Sequence, residues 1–364
     1  MISNLVSRIR AEVVRALEPF APGSSTGATG RQPQAEQADA GLALPASGAV
    51  GIVLAVSGGA DSMCLADAVL AVAPRLALRP LIAHLDHGLR GEASTADAEF
   101  VRAFAAAHRV SCVIARADVH ALGREHKQSI EVAAREARYR FLTRAAQDHG
   151  ARLVGLAHHA DDQAETVLLR LIRGTGLQGL CGMRVHAPLP TAPHLTAVRP
   201  LLRVSRADIE QYCRERHLQP RHDATNDQLH YARNRVRHEL LPFLERYNPN
   251  IRAALVRLAD TVASDLEIVE QATREAFERT AQPVGAAIVV DRQAWRALSQ
   301  GLQRATLREA VRRLKGDTAG LPYTAIEEAR DVLNSNAPAG DVALTHDARI
   351  EVKKRIFVVR KSSA

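Results

Sequence analysis

The string Ser57-Gly58-Gly59-Ala60-Asp61-Ser62 directly follows the apolar run Gly51–Val56. A turn of this composition between a buried strand and a helix can cradle pyrophosphate. Its glycines let backbone N–H groups approach phosphate oxygens, its serines add donors, and the following helix aims its positive end at the anion. The turn lacks the lysine of the G-x-x-x-x-G-K-S/T loop, which reaches for a terminal phosphate. Asp61 suits a divalent metal ion or a cationic substrate instead. The expected chemistry is cleavage of ATP between its α and β phosphates, whereas a tight turn before a helix would need none of these polar groups.

A second chemistry-bearing stretch runs from His158 to Met183, and in it Asp162 and Glu165 stand three residues apart on one face of a helix's first turn. Beside a phosphate site, two such carboxylates can hold Mg²⁺ or grip an ammonium group. Complementing the helix dipole alone would be worth about 0.3–1 kcal/mol each, and Asp161 fits that plainer role as well. Glycines 174, 176, 179 and 182 suggest either a loop that approaches a ligand or a connector. His87 or Arg90, after the second strand, can reach a phosphate, although a histidine at a strand end commonly serves as a structural hydrogen-bond partner. Glu131, Arg135, Glu136 and Arg138 have the spacing of an exposed helix face laced by i,i+4 pairs. Asp223–Asp227 and the alternating Arg233, Arg235 and Arg237 fit phosphate contacts or a basic surface run.

These groups need a scaffold that brings them together. Apolar strands at 51–56, 80–85, 110–115 and 152–157 alternate with helical patterns; Ser94 with Asp97 predicts one helix start, Ser129 another, and Ser205 with Asp208 a later one. Alternation of this kind predicts an α/β, doubly wound parallel sheet, which binds ligands beyond the carboxyl ends of its strands. Each candidate cluster falls there. The domain reading has three parts: 1–47, an amphipathic helix and a Gly/Ser/Ala/Pro/Gln-rich tether outside the catalytic fold; 48–245, the catalytic domain; and 246–364, a smaller and mostly helical domain closing in a strand-like pair at 341–345 and 349–359. Residues 182–193 read as a proline-rich loop.

Composition excludes several classes. No run approaches the ~20 apolar residues of a spanning helix, and the first residues carry no apolar core of a secretion signal. Cys64, Cys112, Cys181 and Cys213 form no CxxC pair, so reduced thiols in a cytoplasmic protein are expected and a zinc site is not. A net charge of +8 over 364 residues favours a polyanionic partner.

Taken together, SGGADS (57–62), HLDHGLRGEAS (84–94), EVAAREARYRF (131–141), HHADDQAETVLLRLIRGTGLQGLCGM (158–183), RPLL (199–202) and DATNDQLHYARNRVRHELLP (223–242) resemble the tRNA(Ile)-lysidine synthases, N-type ATP pyrophosphatases of the PP-loop group. The 158–183 string and the RNRVRHELLP ending are the specific ones; SGGADS marks only the superfamily. The resemblance covers about 50–245, and the region beyond 250 matches in size and basic character alone. It implies an adenine-nucleotide-α-hydrolase-like fold. It also implies ATP and Mg²⁺ as cofactors, L-lysine and an isoleucine tRNA with a CAU anticodon as partners, and a cytoplasmic location with no membrane attachment. A homodimer is compatible with it. The implied reaction adenylates the C2 carbonyl oxygen of the wobble cytidine, releases pyrophosphate, and then lets the lysine ε-amine attack C2 and expel AMP.

By the same resemblance, Ser57, Gly58, Gly59, Ala60 and Ser62 hold phosphates and Asp61 stands near the metal or the amine. Asp162 and Glu165 grip lysine, His158 and Arg138 contact the nucleotide or the adenylated base, and Arg233 and Arg235 neutralise phosphates. The first ~50 residues have no counterpart in the family core and read as dispensable. The nearest rivals are a PP-loop tRNA thiolase, which typically presents paired cysteines, and an amidating synthetase acting on a small molecule. A non-enzymatic RNA-binding module is the rival from a different class, and it would not need Asp61, Asp162 and Glu165 at strand ends.

Overall fold

The computed structural model describes residues 3–22, 24, 48–88, 92–221, 232–318, 320–335 and 340–362. The chain divides into two compact units, Met1–Thr261 and Val262–Ala364. Arg90, Asp223, Asp227, Tyr231 and nearly all of the expected tether lie outside the described residues.

In the larger unit, α1 (Asn4–Leu17) precedes β1 (Val50–Ala55), α2 (Ala60–Val72), β2 (Leu78–Asp86), α3 (Glu92–Ala107) and β3 (Ser111–Arg116). Then come α4 (Val119–Glu125), α5 (Ile130–Asp148), β4 (Ala151–Gly155), α6 (Ala160–Ile172) and α7 (Leu177–Leu180). The hairpin β5 (His186–Leu189) and β6 (Ala192–Val198) leads to α8 (Arg206–Glu215), α9 (Ala232–Arg235), a π-helical turn Val236–Leu240, α10 (Leu241–Glu245) and α11 (Ile251–Thr280), of which the residues up to Thr261 belong to this unit. The strand order is β3-β2-β1-β4-β6-β5, all parallel except the edge strand β5. The doubly wound fold therefore forms, with β1 and β4 side by side at its centre.

Strand alternation divides the core. Ile52, Leu54 and Leu153 face α1, α2 and α8, while Val53, Val154 and Leu156 face Tyr139, Leu142, Ala145 and Ala146 of α5. Gly51 and Gly155 are required by close strand approach, because a Cβ on Gly51 would sit 2.7 Å from Ala151 Cα and one on Gly155 2.8 Å from Leu54 Cδ2.

Three differences from the sequence reading have physical causes. The proline-rich loop is the β5–β6 hairpin; Pro188 is tolerated because β5 is an edge strand, where no ladder donor is needed on the open side. Helix α3 begins before Ser94, which is buried inside it rather than capping it. The N-terminal helix belongs to the catalytic unit: Ile9, Val13 and Leu17 are 0% exposed in the core shared with α2 and α8.

Asp67 fastens these helices. It is buried on α2 and accepts from Tyr212 Oη at 2.6 Å and Arg216 Nε at 2.9 Å, with Arg10 of α1 at 3.8 Å. Burial pushes its carboxyl up, but the bonds from Arg216 and Tyr212 and the charges of Arg216 and Arg10 outweigh that and leave it below the usual aspartate value. A lowered native-state value adds stability above the ordinary pKa of about 3.9, and that contribution is lost as the pH falls below it. Urea midpoints measured between neutral pH and about pH 3 should fall for the wild type and less steeply for Asp67→Asn, which starts about 1–3 kcal/mol lower. Parallel curves would contradict this.

The smaller unit, by itself, packs α12 (Arg292–Arg296), α13 (Gln300–Lys315) and α14 (Tyr323–Asn334) on a five-stranded antiparallel sheet. That sheet runs β7 (Ala281–Val284), β8 (Ala287–Asp291), β11 (Ile356–Lys361), β10 (Ala348–Val352), β9 (Gly340–Thr345). Trp295 and Phe357 meet edge to face at 5.4 Å in its core. The sequence reading had helices and one strand pair here; β7 and β8 are short, and the run at 349–359 is interrupted by a turn into two strands.

Candidate active site

Gly58, at φ +93°, makes the turn out of β1 that only glycine adopts freely, and Gly59 begins α2 without any side chain capping the helix. Ser62 Oγ donates to Gly59 O at 2.9 Å, accepts from Ser57 N at 3.1 Å, and lies 3.2 Å from Ser57 Oγ. The hydroxyls thus brace the turn from within, and the uncapped first N–H groups of α2, from Ala60 onward, are left for an anion.

Asp61, in the first turn of α2, meets Arg206 Nη1 at 3.4 Å and His159 Nε2 at 3.8 Å. Its Oδ1 is buried without a partner. Burial raises its pKa against the pull of His159 and Arg206. An orphaned, hard carboxylate oxygen beside a phosphate turn fits Mg²⁺, although no group of three or more metal-type ligands occurs among the described residues.

His159 links this turn to α6. Its Nδ1 accepts from Asp161 N, its N–H donates to Asp162 Oδ2 at 3.1 Å, and its Nε2 lies 3.4 Å from the same oxygen. Despite burial, the three aspartates around it raise its pKa. The plainer reading of Asp161 holds in the structure: it accepts from Arg206 N at 3.0 Å and pairs with Arg252, joining α6 to the starts of α8 and α11. Burial would raise its carboxyl, but His159, Arg206 and Arg252 bring it to about 2.

Asp162 and Glu165 share a face as their spacing implies, yet neither stands open. Arg233 contacts Asp162 Oδ1 and Glu165 Oε2, both at 2.8 Å, while Arg237 reaches Glu165 Oε1 at 2.5 Å and Asp162 Oδ1 at 3.3 Å. Glu165 is 0% exposed. The site thus holds a neutral quartet of two carboxylates and two guanidiniums. Arg233, expected on phosphates, lies on carboxylates. Arg235 is 69% exposed and pairs with Glu239 at 3.7 Å.

His158 and Arg138 come together on the opposite face of the sheet. Burial, with help from nearby Arg199 and Arg138, pushes His158 down to about 3 in spite of Asp162. Arg138 is not on a solvated face: its guanidinium stacks over Tyr139 at 5.5 Å and its Nε is buried. On the second strand, His84 Nδ1 lies 2.9 Å from Val56 O, and Asp86 accepts from Gly88 N.

Sequence reasoning passed over Gln163 and Arg170. Gln163 brackets the glycine loop through Met183 N, Met183 O and Cys181 O, and Arg170 donates to Gly179 O and Gly182 O. Gly182, at φ +60°, leaves no room for a Cβ, which would sit 2.6 Å from Gln163 Oε1. The loop is pinned, and only the regular spacing of its glycines hinted at that.

Residues 33–244 match the family model described as the PP-loop domain. The chain belongs to the PP-loop family. The tRNA(Ile)-lysidine synthase of Geobacter sulfurreducens is 38% identical over 312 residues, 85% of this chain and 63% of that protein. The enzyme of that name from Geobacillus kaustophilus is 35% identical over 273 residues, 75% of this chain and 58% of that protein. The chain thus spans about 60% of the length of these PP-loop relatives. Among solved structures, a U34-tRNA thiolase of Methanococcus maripaludis with a 4Fe–4S cluster superposes with a TM-score of 0.52 at 13% identity, covering 71% of this chain and 79% of that one. That likeness concerns the PP-loop fold alone. Burial pushes the Cys213 thiol up to about 12 and Cys64 higher still. No helix among the described residues is long and apolar enough to cross a membrane.

Proposed function

We propose that the protein joins L-lysine to C2 of the wobble cytidine of a CAU-anticodon isoleucine tRNA at the expense of ATP, releasing AMP and pyrophosphate in the cytoplasm. The observation that carries this reading is the convergence of the Ser57–Ser62 turn and the Asp162–Glu165 pair, joined through His159 with Asp61 between them. A phosphate cradle beside a carboxylate pair suits a reaction that splits ATP and takes an amine. Relatives 38% and 35% identical bear the name tRNA(Ile)-lysidine synthase, which supports an isoleucine tRNA as the substrate.

In the first step the cytidine O2 attacks the α phosphorus and the bond to pyrophosphate breaks. Ser57, Ser62 and the open N–H groups of α2 hold the phosphates in line, so positioning and fixed dipoles supply most of the acceleration. Mg²⁺ held by Asp61 would offset the charge of the departing pyrophosphate. His158, uncharged at neutral pH, and Arg138 contact the base. In the second step the lysine Nε attacks C2, the C2–O bond breaks with AMP leaving, and Asp162 or Glu165 takes the proton. For lysine to enter, Arg233 and Arg237 must leave the carboxylates, and incoming phosphates are the groups that draw them away. Lysine therefore binds after ATP and tRNA.

ATP labelled at its α phosphorus tests this sequence. Without lysine, label should collect on the CAU tRNA and leave as AMP once lysine is added. Label confined to free nucleotide would remove the adenylated intermediate.

A further inference from the structure

Beyond β4, strand alternation sends His159 toward the α2 face and His158 toward the α5 face, in line with Leu156 beneath it. The adjacent strand β6 does the same, so that Arg199, following Ala197 of the α5-side core, arrives beside His158. Arg199 is 8% exposed and donates Nη1 to Arg184 O at 3.0 Å. Its Nε is buried without a partner, as are Arg138 Nε and His158 Nδ1. No carboxylate among the described residues pairs with Arg199 or Arg138; the polar group they share is the Tyr139 hydroxyl. Burial, together with the repulsion of neighbouring arginines, holds both guanidiniums below the usual arginine range. A buried and a half-buried guanidinium close together without a carboxylate partner are costly. A bound anion would remove that cost.

We infer that Arg199 and Arg138, with Tyr139 and His158, form a second oxyanion subsite that takes a backbone phosphate of the RNA strand. The assignment rests on the proposed tRNA substrate. An RNA phosphate fits better than a phosphate of ATP because the donors for the nucleotide stand on the other face of the sheet, at Ser57–Ser62. A base turned out of its stack into the site carries its own phosphate along, and a fixed guanidinium pair there would set its depth.

The test measures the Kd of a labelled anticodon stem-loop with a CAU anticodon at rising KCl, for wild type, Arg199→Gln and Arg138→Gln, with melting temperatures recorded alongside. Each phosphate contact contributes about 0.7–0.9 to the log–log salt slope, so either variant should lower the slope by about one and weaken binding roughly tenfold at low salt. For Arg199→Gln the KM for ATP in pyrophosphate release should stay within about twofold of wild type, because Arg199 stands apart from the nucleotide's donors at Ser57–Ser62. Arg199→Lys, which keeps the charge, should retain the slope. If Arg199→Gln does not fold, Arg138→Gln carries the test, since its Nε has no hydrogen-bond partner among the described residues. A slope unchanged in a variant that still binds RNA overturns the subsite, as does a raised KM for ATP with an unchanged slope. A wild-type protein that binds no stem-loop overturns the tRNA reading and the subsite's ligand with it.

Discussion

Cutting Glu165 back to alanine is expected to destabilise the larger unit by about 3–5 kcal/mol and to abolish lysine transfer. Glu165 is fully buried and receives Arg233 Nε at 2.8 Å and Arg237 Nε at 2.5 Å. Its loss leaves two guanidiniums sharing Asp162 alone. Most of the destabilisation comes from this uncompensated charge, so adding Arg237→Leu to Glu165→Ala should recover part of it, a coupling that a double-mutant cycle reads directly. Glu165→Gln keeps the volume, and it should cost less stability while still losing most transfer activity. An unchanged urea midpoint in Glu165→Ala would show that the quartet is not a structural element of the site.

A chain starting at Gly48 should lose its cooperative unfolding transition. Ile9, Val13 and Leu17 contribute fully buried side chains to the α2–α8 core. At about 1.5–3 kcal/mol each, their removal alone approaches the ~5–15 kcal/mol by which a domain is stable. Arg8 also pairs with Asp208 at 2.7 Å, and His186 lies 2.7 Å from Ala16 O. Because α2 carries the phosphate turn at its other end, ATP binding should fail with the fold. Equal urea midpoints for the full and shortened chains would restore the reading of this extension as dispensable.

The doubly wound sheet was legible because its strands are continuous apolar runs, and the turn at 57–62 announced itself through glycine and serine at a strand end. Spacing also placed Asp162 and Glu165 on one face. Their arginine partners were not legible: Arg233 lies 68 residues from Glu165, and an alternating basic run does not say which members turn inward. Arg233 and Arg237, four apart, share a helical face and Arg235 lies off it, but nothing in the run itself says that this face turns inward. Arg138 was misjudged for a related reason. Helical spacing among charged residues looks the same on a solvated face as on one that meets a strand end. The strands β5, β7 and β8 escaped notice because four or five residues are too few to show alternation, and prolines in β5 and β7 argued against strand.

The most direct measurement incubates the purified protein with Mg-ATP, radiolabelled lysine and two transcripts, an isoleucine tRNA and a methionine tRNA, each with a CAU anticodon. The proposed function predicts acid-precipitable label on the isoleucine transcript alone, with one AMP released per lysine joined. Label that never reaches RNA, or that appears equally on the methionine transcript, would contradict it.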